Sequence, residues 1–271
     1  MAALLATTAL PTASGTDSLV NVGNVAPLVV SVTLPGSSVS PTAGSTTAVA
    51  TTIVVSDANG YNDISSVAVL VLKPDGSTTH VASAAATFDT GSALTATYTY
   101  SFNMNFYDDP ALTTSTYKVK VTVTDSQGAS GTNLASLAVF NYAELAALTL
   151  GAASLDMGSS LDPGDTSSAV SLGVTNAGNV QIDAQVSGTD LAHDTESASI
   201  DVGNMAYSTA SDMSGSAALG SGATTLSSFN LAKGASSSKD LYWQLTVPDG
   251  ADQWVPSGDY TGTLTVAAVS G

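Results

Sequence analysis

Four residues in the first half of this 271-residue chain have the types and spacing to hold a hard cation. Asp57, Asn59 and Asp63 lie within Asp57-Ala58-Asn59-Gly60-Tyr61-Asn62-Asp63, and Asp125 opens Asp125-Ser126-Gln127-Gly128. Carboxylate, amide and carbonyl oxygens are the ligands calcium takes, roughly six to eight at a time. The same residues also have a purely structural use. Asp and Asn cap turns by accepting hydrogen bonds from backbone N–H groups a few positions on. Calcium is therefore the one cofactor these residues suggest, with turn capping as the alternative. Asp108-Asp109-Pro110 reads as a turn at the opposite end and stays outside this set.

Other chemistries find little material. There is no Cys and no Arg, and the five bases are all Lys, against 20 Asp and 2 Glu, for a net charge of −17. Nucleic-acid binding requires basic side chains to displace counterions from phosphates, so that class is excluded. His80 and His193 are the only imidazoles, and neither lies in a Ser/acid pattern that would make a triad. No Gly-x-Ser-x-Gly elbow, P-loop or dinucleotide fingerprint occurs. Trp243 alternates within an apolar strand, which leaves Trp254 alone as an exposed aromatic and makes no sugar platform. The expectation is a protein that is not an enzyme.

Strands must position the candidate ligands, because alternation dominates the chain. Leu94, Ala96, Tyr98, Tyr100, Phe102, Met104 and Phe106 alternate with Thr, Ser and Asn, which is the period of a half-buried strand. Tyr117-Val119-Val121-Val123 repeats the pattern, and Leu28-Val30-Val32-Leu34, Val49-Thr51-Ile53-Val55 and Val67-Val69-Val71 read likewise. Lys73-Pro74-Asp75-Gly76-Ser77 has the chemistry of a hairpin turn. The only helix-forming stretch, Ala143 to Leu148, is too short to stand alone and reads as a junction. Strands at this spacing predict an all-β fold of two tandem β-sandwich domains with an extended N-terminal arm. The predicted divisions are an arm over 1–25, a sandwich over 26–142, the junction at 143–148 and a second sandwich over 149–271. Within the last, the Ser/Gly-rich stretch 208–238 reads as a long loop. No apolar run approaches the length of a membrane helix.

The loop at 57–63, together with Tyr117-Lys118-Val119-Lys120-Val121-Thr122-Val123-Thr124-Asp125-Ser126-Gln127-Gly128, resembles the Ig-like modules of prokaryotic surface proteins. Asn176-Ala177-Gly178-Asn179 and Ser257-Gly258-Asp259-Tyr260-Thr261-Gly262-Thr263-Leu264 are similar to repeats of secreted archaeal proteins. The resemblance implies a secreted or cell-surface location and a tyrosine corner at Tyr117. In that topology the loops at 57–63 and 125–128 share one end of the sandwich.

Two functions remain open at this point. The first is a structural subunit of an extracellular filament (pilus- or thread-like) or surface layer, whose partners are copies of itself. In that reading the arm inserts as a donor strand into a neighbouring sandwich, with Ala2, Leu4, Ala6, Thr8 and Leu10 as the inserting row. The alternative is a monomeric adhesin or ligand-binding ectodomain, stabilised by calcium. The arm itself could instead fold back as a strand of its own domain.

Overall fold

The computed structural model describes residues 20–111, 115–251 and 253–271. The expected inserting row, Ala2, Leu4, Ala6, Thr8 and Leu10, lies outside the described residues. The chain is all-β, with several sheets stacked in the manner of the β-sandwich class.

In the first half the strands are β1 (Leu28–Thr33), β2 (Ser38–Val39), β3 (Thr46–Ser56), β4 (Ile64–Leu72) and β5 (Thr79–Ala85). They are followed by β6 (Thr87–Ser92), β7 (Thr95–Asn105), β8 (Tyr117–Asp125), β9 (Ser130–Thr132) and β10 (Ala138–Tyr142). One sheet runs β1-β3-β7-β6; the other runs β2-β10-β8-β4-β5, with β9 also beside β8. Pairing is antiparallel throughout except β10 with β2. Val49, Ile53, Val55, Val67, Val69, Phe102, Val121 and Phe140 meet between the sheets in one core.

The second half has β11 (Leu148–Leu150), β12 (Val170–Asn176), β13 (Ile182–Gly188), β14 (Leu191–His193), β15 (Ser199–Ile200) and β16 (Met205–Ser208). After these come β17 (Ala217–Ala218), β18 (Thr224–Leu231), β19 (Ser238–Leu245), β20 (Tyr260–Thr261) and β21 (Leu264–Ser270). They form a five-stranded sheet β11-β12-β19-β16-β17, a three-stranded sheet β18-β13-β21 and a small sheet β15-β14-β20. A separate core gathers Leu172, Val186, Phe229, Leu241 and Trp243. Trp243 is fully buried, as its alternation predicts, and Trp254 is exposed.

Two expectations need correction. Leu28 and Val30 do not face the core: a bulge in β1 between Val29 and Ser31 shifts the phase, so Val29, Val32 and Leu34 pack inward instead. Residues 208–238 are not one long loop, since β17 and β18 lie inside them and Leu219, Phe229 and Leu231 are buried. The Ser/Gly richness hid three apolar side chains that suffice to anchor an edge. The expected junction is not helical over Ala143 to Ala147, and its backbone is held by Asn179. The Asn179 Oδ1 accepts from Leu145 N–H at 2.7 Å, and its Nδ2 donates to the Ala143 carbonyl at 2.7 Å.

That clamp joins the two halves, with Gly44 N–H donating to the Ala177 carbonyl at 2.9 Å and an ion pair between Lys233 and Asp109. The start of β3 therefore lies at the junction. Its eleven residues carry the chain roughly 33 Å away, to a pole where Asp57 begins the next loop.

Candidate functional site

Two rows of inward-facing side chains end on carboxylates at that pole. Along β3 the buried row is Val49, Thr51, Ile53, Val55 and then Asp57. Along β8 it is Tyr117, Val119, Val121, Val123 and then Asp125. Because side chains alternate with a period of two, the phase that buries the valines also turns both acids inward, one from each sheet. Each acid is only 2% exposed. Asp63 arrives from a third direction, as the last residue of a 3-10 turn, Tyr61–Asp63, that leads into β4 beside β8. One carboxylate oxygen from each of Asp57, Asp63 and Asp125 lies within 4.8 Å of the other two.

Local turn chemistry explains much of this arrangement. Asp57 Oδ1 accepts from Asn59 N–H at 2.7 Å, and Gly60, with φ of 113°, takes the left-handed conformation needed to reverse the chain. Asp125 Oδ1 closes the β8–β9 turn by accepting from Gln127 N–H at 3.0 Å and Ala129 N–H at 2.8 Å. Asp63 Oδ1 accepts from the Ser126 hydroxyl. The Gln127 amide, oriented with its nitrogen toward Asp63, donates to both of that carboxylate's oxygens at 2.9 and 3.2 Å. Turn capping thus accounts for one oxygen of Asp57, one of Asp125 and the orientation of Asp63. It does not account for Asp57 Oδ2, which is buried without any hydrogen-bond partner.

Asn59, the fourth expected ligand, has another task. Its Oδ1 accepts from Val25 N–H at 2.8 Å and its Nδ2 donates to the Gly23 carbonyl at 3.1 Å. Asn24, between those two, donates from Nδ2 to Asp125 Oδ2 at 2.9 Å. Residues 23–25 are therefore laid across the carboxylates and pinned at three points. The chain then runs close against β9: a side chain at Gly131 would meet the Pro27 carbonyl oxygen at 2.0 Å, so only glycine fits there. An open depression beside this segment is lined by Val22, Asn24, Asn59, Asn62, Asp63 and Gln127. Asn24 was not legible as part of the site, because nothing in its own neighbourhood of the sequence distinguishes it. The inward rows ending on Asp were a readable signal.

Charge at the pole is one-sided. Among the described residues the basic side chains within 4 Å of a carboxylate are His80 at Asp108, His193 at Asp194 and Lys233 at Asp109, and none reaches the three carboxylates. Burial opposes ionisation of Asp125, yet the Asn24 amide and the N–H groups of Ala129 and Gln127 outweigh it and hold its pKa below the usual value.

The two imidazoles are engaged in packing. His193 is buried, its Nδ1 accepting from Thr195 N–H at 3.1 Å and Glu196 N–H at 2.9 Å, and its ring meets Tyr260 edge-on. His80 packs edge-on against Tyr117. Tyr117 is itself fully buried, and its hydroxyl donates to the Asp109 carbonyl at 3.0 Å.

No protein family and no curated protein matches the sequence. Among solved structures, a DUF4785 family protein from Legionella pneumophila is similar over 89% of this chain, with 10% identity and a TM-score of 0.29. The chain spans 47% of that protein's length, and a likeness of this degree carries no argument.

Proposed function

We propose that this chain is a structural, non-catalytic subunit of an extracellular filament or surface layer, built of two Ig-like sandwiches in series. Neighbouring copies join head to tail when the N-terminal residues of one add a strand to the other. The observation that carries this reading is the placement of two features. Residues 22–25 lie at the pole opposite the junction, so the arm meets its own sandwich at the end away from the second half. Among the described residues, β21 pairs with β13 on one side only and ends a sheet three strands wide, where the sheet across the core of the second half has five. Leu264, Val266 and Ala268 along β21 are only partly buried against the core. A strand added beside them would extend the narrow sheet and complete their cover.

The composition supports an extracellular setting: Ser and Thr make 74 of 271 residues and Lys only five. The buried Tyr117 with its hydroxyl on Asp109 supports the Ig-like assignment of the first half. Both imidazoles are held in packing contacts, which favours a structural role over catalysis.

Negative-stain microscopy and size-exclusion chromatography of the full chain test the proposal. Fibres of regular repeat are expected, and Leu4→Asp with Leu10→Asp should leave soluble monomers with unchanged circular dichroism. A sharp 26.8 kDa monomer from the unaltered chain, or fibres that survive the double substitution, would replace this reading with the monomeric ectodomain.

A further inference from the structure

Asp57 Oδ2 is the one atom at the pole that the turns leave unexplained. A carboxylate oxygen out of contact with water and without a donor is strongly unfavourable. Its residue is 2% exposed and faces two further carboxylates within 4.8 Å. Three like charges at this spacing repel, and among the described residues no basic side chain lies within ion-pair reach of them. A bound cation removes both penalties at once.

We propose that Asp57, Asp63 and Asp125 bind one calcium ion, which ties the two sheets of the first half together and fixes residues 23–25 across the pole. The donor set selects the metal class. All three groups are hard oxygen ligands, with neither thiolate nor imidazole beside them, which disfavours zinc and copper. The adjoining depression is open and also lined by Asn62, so water and the Asn62 amide oxygen can fill the remainder of the six to eight positions calcium takes. Magnesium keeps most of its water and demands a strict octahedron, so three carboxylates converging from separate loops suit it less. The three ligands come from the end of β3, the turn before β4 and the end of β8, so the ion bridges both sheets. Asn24 donates to Asp125 and Asn59 brackets it through Gly23 and Val25, so ordering the carboxylates also orders the segment above them. Calcium binding at this pole is independent of whether copies assemble.

The test uses the full chain. Terbium luminescence sensitised by Tyr61, which lies in the same turn as Asp63, reports occupancy. Calcium should displace terbium with a dissociation constant on the order of 0.1–1 mM, in the range of extracellular modules. Magnesium at the same concentration should not. Asp57→Asn and Asp63→Asn should each weaken calcium by about tenfold or more, whereas Asp240→Asn, in β19 of the second half, should leave it unchanged. Amide hydrogen exchange supplies the second readout: calcium should slow exchange at residues 23–25 in the unaltered chain and leave it unaffected in Asp57→Asn. Absence of calcium-displaceable luminescence in the unaltered chain overturns the site without recourse to any variant. Binding that survives both substitutions does the same. Calcium binding with no change in exchange at 23–25 overturns the clamp.

Discussion

At the junction end of the first half, Asp108 and Asp109 each have a basic partner, while at the far pole Asp57, Asp63 and Asp125 have none among the described residues. Asp109 is neutralised within the chain, by Lys233. Asp108 lies 3.5 Å from His80 Nε2 and accepts from Asn105 N–H at 2.6 Å. The Lys233 ammonium, donated from the second half, holds Asp109 below the usual carboxylate range. Beside them Tyr117 stacks on Phe140 and meets Tyr142 edge-on in an aromatic layer, and burial pushes the Tyr142 hydroxyl up to about 12, with Asp108 adding to the shift. The same residue type thus serves two ends of one sandwich differently. At the junction Lys233 of the second half supplies a counter-charge to Asp109; at the far pole no basic side chain does so among the described residues.

Substitution at the aromatic layer tests this contrast most severely. Tyr117→Ala should cost about 3–5 kcal/mol of stability by opening a cavity, and Tyr117→Phe about 1 kcal/mol by removing the bond to Asp109. Urea melts should give the same losses with calcium or with chelator. A calcium-dependent loss would mean that the two ends are not independent.

Calcium itself should have the next largest effect. At 10 mM ion and a dissociation constant of 0.1–1 mM, linkage predicts about 1.4–2.7 kcal/mol of added stability. Chelator should abolish the gain, and Asp57→Asn should be indifferent to both. Equal melting curves with and without calcium would erase the distinction between the ends.

Lys233→Ala should matter least, at about 0–1 kcal/mol, because the pair with Asp109 is partly solvated. Its signature is clearer in acid. Asp109 has a folded pKa below its unfolded value, so the stability it contributes is present above roughly pH 3.9 and lost as pH falls through the folded value. Lys233→Ala should therefore flatten that part of the acid limb. Asp75, in the hairpin turn away from both ends, is lowered to about 2 by bonds from Thr78 and Ser77. Its share should persist in Lys233→Ala and vanish only near pH 2. An acid limb unchanged by Lys233→Ala would show that the junction pair is not formed in solution.

Alternation by itself determined the strands that matter most. Val49 to Val55 and Tyr117 to Val123 face inward as their period requires, and the same period carries Asp57 and Asp125 to the same pole. The Asp-Gly hairpin after Lys73 follows from local turn chemistry, with Gly76 at φ of 75°. These features depend on near neighbours in the chain, and near neighbours can be read in order. Tertiary structure decided what long-range contacts control. The bulge in β1 moves Leu28 and Val30 outward, because pairing with β3 sets its register. Phe229 and Leu231 turn an apparently featureless stretch into β18 because β13 offers an edge to pair with. Asn59 faces Gly23 and Val25 across more than thirty residues of sequence, and Asn179 clamps Leu145 from a similar distance. An amide takes whichever partner the fold brings within 3 Å, and composition carries no record of that choice. The orphaned oxygen of Asp57 is of the same kind: which of its two oxygens the turn satisfies, and which it leaves buried, exists only once both sheets are packed.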